Sequence, residues 1–120
     1  MTISLAMVAA LTLSCSAVDG DTMRCSGPGR VRLIAIDAPE LPGHCRRGRI
    51  CVEGDGFASR AALDRMIRGR AVTCQPHGQD RYGRMLARCA VRGRDIGCAM
   101  VAAGQAVERY GRLNCAERGQ

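Results

Sequence analysis

Val31-Arg32-Leu33-Ile34-Ala35-Ile36-Asp37-Ala38-Pro39-Glu40 reads as a buried β-strand that ends in acidic residues. Its run of branched apolar residues suits a packed pleated surface. Pro39 has no N–H to offer a ladder, so pairing stops there. The strand exit therefore presents two acids, Asp37 and Glu40. Alternation places Arg32 on the same face as Ile34 and Ile36. A guanidinium on a mainly apolar face must be paired or hold an anion, so Arg32 is a candidate phosphate ligand. A structural ion pair with a nearby acid is the competing reading.

Upstream of this strand, Leu11 to Val18 is a strand candidate, Asp19-Gly20-Asp21-Thr22 supplies turn chemistry, and Met23 to Cys25 starts a return strand that ends at the turn Ser26-Gly27-Pro28-Gly29. Gly20 gives the Asp19/Asp21 pair flexibility, so at least one of them can be aimed at a point shared with Asp37. Such a cluster repels itself without a cation. Its hard oxygen donors suit calcium, with magnesium or manganese as alternatives, while zinc prefers nitrogen and sulfur. The plainer reading is that Asp-Gly is a common hairpin turn and Asp-x-Pro-Glu a common strand exit.

Downstream, the glycines, proline and cysteines from Leu41 to Gly54 read as a loop. Asp55 to Arg68 has helical spacing, with Phe57, Ala61 or Ala62, Met66 and Ile67 forming an apolar stripe, and Gly69 closes it. Ala71 to Gln75 and Met85 to Val91 read as two strands joined by the polar segment Pro76 to Gly83. Within that segment, Asp80-Arg81-Tyr82-Gly83-Arg84 sets an aromatic among cations, so that Tyr82 can stack on a base while the arginines grip phosphate. A second helix is expected from Asp95 as N-cap to about Ala103, with Gly104 as C-cap. Five strands with helices inserted late suggest an α+β fold, a five-stranded β-barrel of OB type, over a single domain at 11–120.

Composition adds the compartment and the partner. A chain of 120 residues buries a modest core, and its eight cysteines, Cys15, Cys25, Cys45, Cys51, Cys74, Cys89, Cys98 and Cys115, are an even set suited to disulfides in an oxidising compartment. Residues 1–10 are apolar, uncharged apart from the amino terminus and too short to span a bilayer. They read as a signal peptide cleaved somewhere between 10 and 17, although a basic n-region is missing; continuation of the first strand is the alternative. An exported, periplasmic or extracellular protein is expected, a monomer without stable membrane association. The net charge is +7, and all 18 basic residues are arginine. Arginine's fork binds phosphate in a bidentate way, which points to a polyanionic partner, although genome base composition also trades lysine for arginine. Four of the 11 acids, Asp19, Asp21, Asp37 and Glu40, nonetheless fall within one 22-residue stretch.

Three blocks, Val18 to Thr22, Val31 to Glu40 and Asp80 to Ala87, together resemble the signature blocks of the staphylococcal nuclease-like (thermonuclease) family in order and spacing, and the likeness runs over roughly residues 11 to 112. The resemblance implies calcium-dependent hydrolysis of DNA or RNA phosphodiesters. It implies that Asp21, Asp37 and the Ala38 carbonyl ligate Ca2+, that Glu40 acts through the metal-bound water as general base, and that Arg32 and Arg84 hold the phosphate. Asp19 then supports the site, and Arg81, Tyr82 and Tyr110 bind the nucleotide. Ala38 stands where the family often has threonine, and Arg112 where some members have a second tyrosine. The family's third helix is largely absent.

Eight cysteines allow 105 pairings. Sequence proximity and expected strand pairing favour Cys15–Cys25, Cys45–Cys51, Cys74–Cys89 and Cys98–Cys115, each worth about 2 to 4 kcal/mol if formed. The rival is a zinc site from His44, Cys45, Cys51 and His77, whose spacings fit no standard finger. Two other functional classes stand beside the nuclease: an OB-fold nucleic-acid-binding module without catalysis, and a secreted disulfide-rich protein that binds another polyanion.

Overall fold

The computed structural model describes residues 10–118, so residues 1–9 of the expected leader lie outside the described residues. The elements, in chain order, are β1 Leu11–Leu13, β2 Cys15–Ala17, β3 Thr22–Cys25, β4 Gly29–Leu33, β5 Ile36–Asp37, α1 Gly56–Ile67, β6 Val72–Gln79, β7 Met85–Val91, β8 Arg94–Asp95, α2 Ile96–Ala102 and β9 Val107–Glu108. A 3-10 turn at Cys115–Arg118 follows.

Hydrogen bonding runs β1-β6-β7-β4-β3-β2, with β8 added on β7. The two ends of that path, β1 and β2, are halves of one segment separated only by Ser14. The first half pairs with β6 and the second with β3. One strand shared between two neighbours brings the sheet round on itself into a nearly closed barrel. Counting that segment once gives five main strands among the described residues, and the single parallel pairing on the path is β4 with β7. This is the OB-type barrel that the strand order suggests.

Three local expectations need correction. The run from Val31 to Ile36 is not one strand: Ala35 takes a left-handed φ of 65°, which ends β4 at Leu33 and starts β5, a partner of β9, at Ile36. Val31 and Leu33 face the core, Arg32 points to the opposite side, and the break removes the alternation that linked Arg32 to Ile36. Pro76 does not end its strand. The register shifts between Pro76 and Gly78, a bulge that absorbs the missing donor, and β6 continues to Gln79. On α1 the buried positions are Gly56, Ser59, Ala62, Leu63 and Ile67. Phe57 is 53% exposed and lies under the Arg60 guanidinium.

Both helices start where the caps place them. Asp55 accepts from the Phe57 and Ala58 amides, and Asp95 accepts from the Cys98 amide, satisfying donors that a helix start leaves open. The C-cap of α2 is Ala103, with Gly104 just beyond it at φ 71°. α1 is tied to the barrel by the Ala17 amide, which donates to Asp64 Oδ1 at 2.9 Å. Met23, Val31, Leu33, Leu63, Ile67, Val72, Ile96 and Met100 fill the core.

All eight cysteines are bonded, as Cys15–Cys25, Cys45–Cys51, Cys74–Cys89 and Cys98–Cys115. The first and third join residues directly opposite in register. With Cys45 and Cys51 bonded to each other, the rival zinc site has no thiolates.

Two glycines fit the acidic turns against α1. A Cβ on Gly20 would lie 1.9 Å from Ser59 Oγ, and one on Gly56 would lie 2.2 Å from the Glu40 carbonyl oxygen. Gly20 lets the Asp19–Asp21 turn nest on α1, and Gly56 lets the helix start abut the backbone of Glu40.

Candidate active site

Asp21 and Asp37 come from different turns and meet at one guanidinium. Asp21 is buried because the turn is tucked under the strand exit: its Oδ2 accepts the Ala38 amide at 2.9 Å and its Oδ1 accepts the Thr22 hydroxyl at 3.1 Å. The Asp21 amide in turn donates to Asp19 Oδ1 at 3.0 Å, so Asp19 shapes the turn. Burial pushes the Asp21 carboxyl up to about 7; the Arg32 charge opposes this and the Asp19 charge adds to it. Asp37 is wholly buried. Arg32 Nη2 lies 3.5 Å from Asp21 Oδ2 and 3.7 Å from Asp37 Oδ1, while Arg32 Nη1 donates to the Leu33 and Ile36 carbonyls. The strand break at Ala35 supplies those carbonyls, so the correction to the strand also explains how Arg32 is aimed.

Two further arginines hold Asp37. Arg49 Nη2 donates to both of its carboxylate oxygens at 3.0 Å, and Arg49 Nη1 stands 3.2 Å from Glu40 Oε1. Arg109 Nη1 donates to Asp37 Oδ2 and to the Ile50 carbonyl, both at 2.9 Å. Sequence reasoning missed Arg46, Arg49 and Arg109. The available signal for the first two was three arginines inside the segment between Cys45 and Cys51, close after the acidic block; their aim needs the folded loop.

A second cluster surrounds Tyr82. Its hydroxyl accepts from Arg46 Nη1 at 2.8 Å and Arg81 Nη2 at 2.9 Å, and those hydrogen bonds, Arg81's first, hold its pKa below the usual phenol value. The guanidinium carbons of Arg46, Arg81 and Arg84 lie 4.9, 5.1 and 5.7 Å from the ring centre. Arg84 is oriented by Asp80, with Nε 2.7 Å from Oδ2.

A cavity of about 970 Å³ joins the two clusters. It brings together Asp19, Asp21, Arg32, Glu40, Arg81, Tyr82, Arg84 and Tyr110 along its lining. Asp37 lies beneath it, in contact with Arg32. Arg84 is turned to Asp80, and among the described residues it forms no ion pair with Asp21 or Asp37. Ala38 meets the site through its amide.

The donor set fits a hard cation in type: the carboxylates are oxygen donors, and the buried Asp21 and Asp37 both need positive charge beside them. Guanidiniums supply that charge here. Among the described residues no group of three His, Cys, Asp or Glu side chains is gathered as a metal site, and Glu40 is engaged by Arg49. Asp21, Asp37 and Glu40 are the residues that could hold a divalent ion.

Fold and site together define a small OB-barrel protein whose cavity combines buried carboxylates with guanidiniums. Residues 30–119 match the family model described as Staphylococcal nuclease homologue, and the chain belongs to that family. It is similar to the Succinoglycan biosynthesis protein ExoI of Rhizobium meliloti (strain 1021), 36% identical over 96 residues, 78% of this chain and 50% of the relative. It is also similar to the Probable endonuclease LCL3 of Paracoccidioides brasiliensis (strain Pb03), 35% identical over 83 residues, 63% of this chain and 23% of the relative. The chain thus spans half the length of the first and under a quarter of the second.

Proposed function

We propose that the chain is a calcium-dependent nuclease that hydrolyses phosphodiester bonds of DNA or RNA. The observation that carries this reading is the meeting of Asp21 and Asp37 at one Arg32 nitrogen beside an arginine-lined cavity. Family membership supports it, as does the endonuclease name of one relative. The name of the Rhizobium relative concerns succinoglycan biosynthesis and states no reaction.

In this reading Asp21, Asp37 and the Ala38 carbonyl hold Ca2+, which, when bound, supplies positive charge to the phosphate and lowers the pKa of a bound water. Glu40 takes a proton from the attacking water at its carboxylate oxygen. Arg32 and Arg84 donate to the phosphoryl oxygens, where negative charge grows in the transition state. Asp80 holds Arg84 by its Nε until an anion competes for it. Arg81, Tyr82 and Tyr110 take the flanking nucleotide, and Asp19 keeps the Asp21 turn in shape. Four disulfides support export to an oxidising compartment. Among the described residues no helix is long and apolar enough to cross a membrane.

The test is digestion of heat-denatured DNA by the oxidised protein with calcium and with excess chelator, alongside Glu40→Gln and Arg84→Ala. Calcium-dependent cutting that each substitution lowers by about 100- to 1000-fold is expected. A folded, disulfide-intact protein that binds DNA without cutting it would instead be a binding module.

A further inference from the structure

A row of arginines leaves the cavity along the outer face of β3 and β4. Arg30 and Arg32 are two residues apart on β4, so they point to the same side of the sheet. Arg24 on β3 is the register partner of Arg30, and cross-strand partners also share a face. The order along this face is therefore Arg32 in the acidic site, Arg30 on the cavity wall, and Arg24 outside it. Arg24 and Arg30 are both exposed. Neither has an ion-pair partner among the described residues. The residue opposite Arg24 on β2 is Ser16, which is neutral.

Like charges placed directly opposite in a sheet destabilise it. Both side chains face solvent, which screens their repulsion, and no carboxylate is paired with either among the described residues. An anion lying across them would offset what remains. Arg30 has a second role that links the row to the nucleotide-side cluster: its Nη2 donates to the Tyr82 carbonyl at 3.1 Å, tying β4 to the turn that carries Arg81 and Arg84. The face of the second and third barrel strands is also where OB barrels lay oligonucleotides.

We infer that Arg30 and Arg24 form a backbone track for a single strand of nucleic acid beyond the scissile phosphate, Arg30 taking the nearer phosphate and Arg24 the farther. The inference rests on the nuclease reading for the kind of polymer, and on β3–β4 geometry for the path. The track sets how many nucleotides the protein engages, since each guanidinium contact adds salt-dependent affinity without reading the base.

The test uses the full oxidised chain in chelator, so that binding is measured without cutting. Affinities for a thymidine 12-mer and for a trinucleotide are followed over a salt series for the parent, Arg24→Gln, Arg30→Gln and, as a charge control on α1, Arg65→Gln. Arg24→Gln is expected to weaken the 12-mer and reduce its salt slope by about 0.7, the increment of one phosphate contact on a single strand, with trinucleotide binding unchanged. Arg30→Gln weakens both ligands, and Arg65→Gln leaves both as they were. An unchanged 12-mer slope in Arg24→Gln, or equal losses for both lengths, overturns the track while leaving the nuclease reading intact. If the parent binds neither oligonucleotide in chelator, the track falls, while the calcium-dependent cutting assay separately decides the nuclease reading.

Discussion

Asp37 is the residue on which the site turns, because it is a fully buried carboxylate held by Arg32, Arg49 and Arg109. Under the proposed calcium reading, Arg49 engages two of the groups assigned to the metal and its water, Asp37 and Glu40, so it competes with the ion. A state in which such a contact is ten times more populated than the open one weakens apparent affinity about tenfold. Arg49→Gln is therefore expected to tighten calcium binding by about that factor in calorimetry, while lowering the melting temperature in chelator. Looser binding would mean that Arg49 helps to hold the ion. The neighbouring Arg47→Gln removes the same charge from the loop and should shift the affinity far less. Asp37, Glu40 and Arg32 were legible as site candidates because residue type and strand exit were enough. Arg49 and Arg109 were not, since arginines are plentiful here and only folded proximity selects these two.

α1 serves the site by buttressing the acidic turn. A methyl on Gly20 would meet Ser59 Oγ at 1.9 Å and the Ala38 methyl at 2.7 Å; Gly20→Ala thus has to push the turn off the helix. A loss of about 1 to 3 kcal/mol is expected in urea titrations, as for other overpacked sites. Leu63→Ala, in the fully buried middle of the same helix, should cost about 2 to 5 kcal/mol. The contact with β2 is pH-dependent. Hydrogen bonds from Arg68 and from the Ala17 amide hold Asp64 below its ordinary 3.8. A depressed acid adds stability above the unfolded value and loses it as pH falls through the folded one. The stability gap between the parent and Asp64→Ala should accordingly be flat above pH 5 and narrow below 3.8. The pH-dependent part stays small, because Arg68 is largely exposed. Helix limits were readable from the helical spacing of Asp55 to Arg68 and from Asp95 as a cap. The buried face was not, because Phe57 outranks Ser59 in hydrophobicity and only packing shows that Ser59 is inside, donating to the Gln105 carbonyl.

At the scale of the whole molecule, four disulfides staple a small barrel, two of them across adjacent strands. Replacing Cys74 and Cys89 by alanine should cost about 2 to 4 kcal/mol, read as a lower denaturation midpoint. The sequence by itself determined the succession of main strands along the chain, both helices, the acidic turns and a workable disulfide pairing, because turn chemistry, caps, alternation and proximity along the chain act locally. Beyond the buried face of α1, tertiary structure alone decided three things. Segment 11–17 divides between β6 and β3 to close the barrel, since which neighbours a strand finds is a long-range matter. The left-handed Ala35 breaks the apolar run and turns Ile36 toward β9. Arginines from the loop and from the end of the chain converge on Asp37, because buried negative charge draws whichever guanidiniums the fold brings within reach.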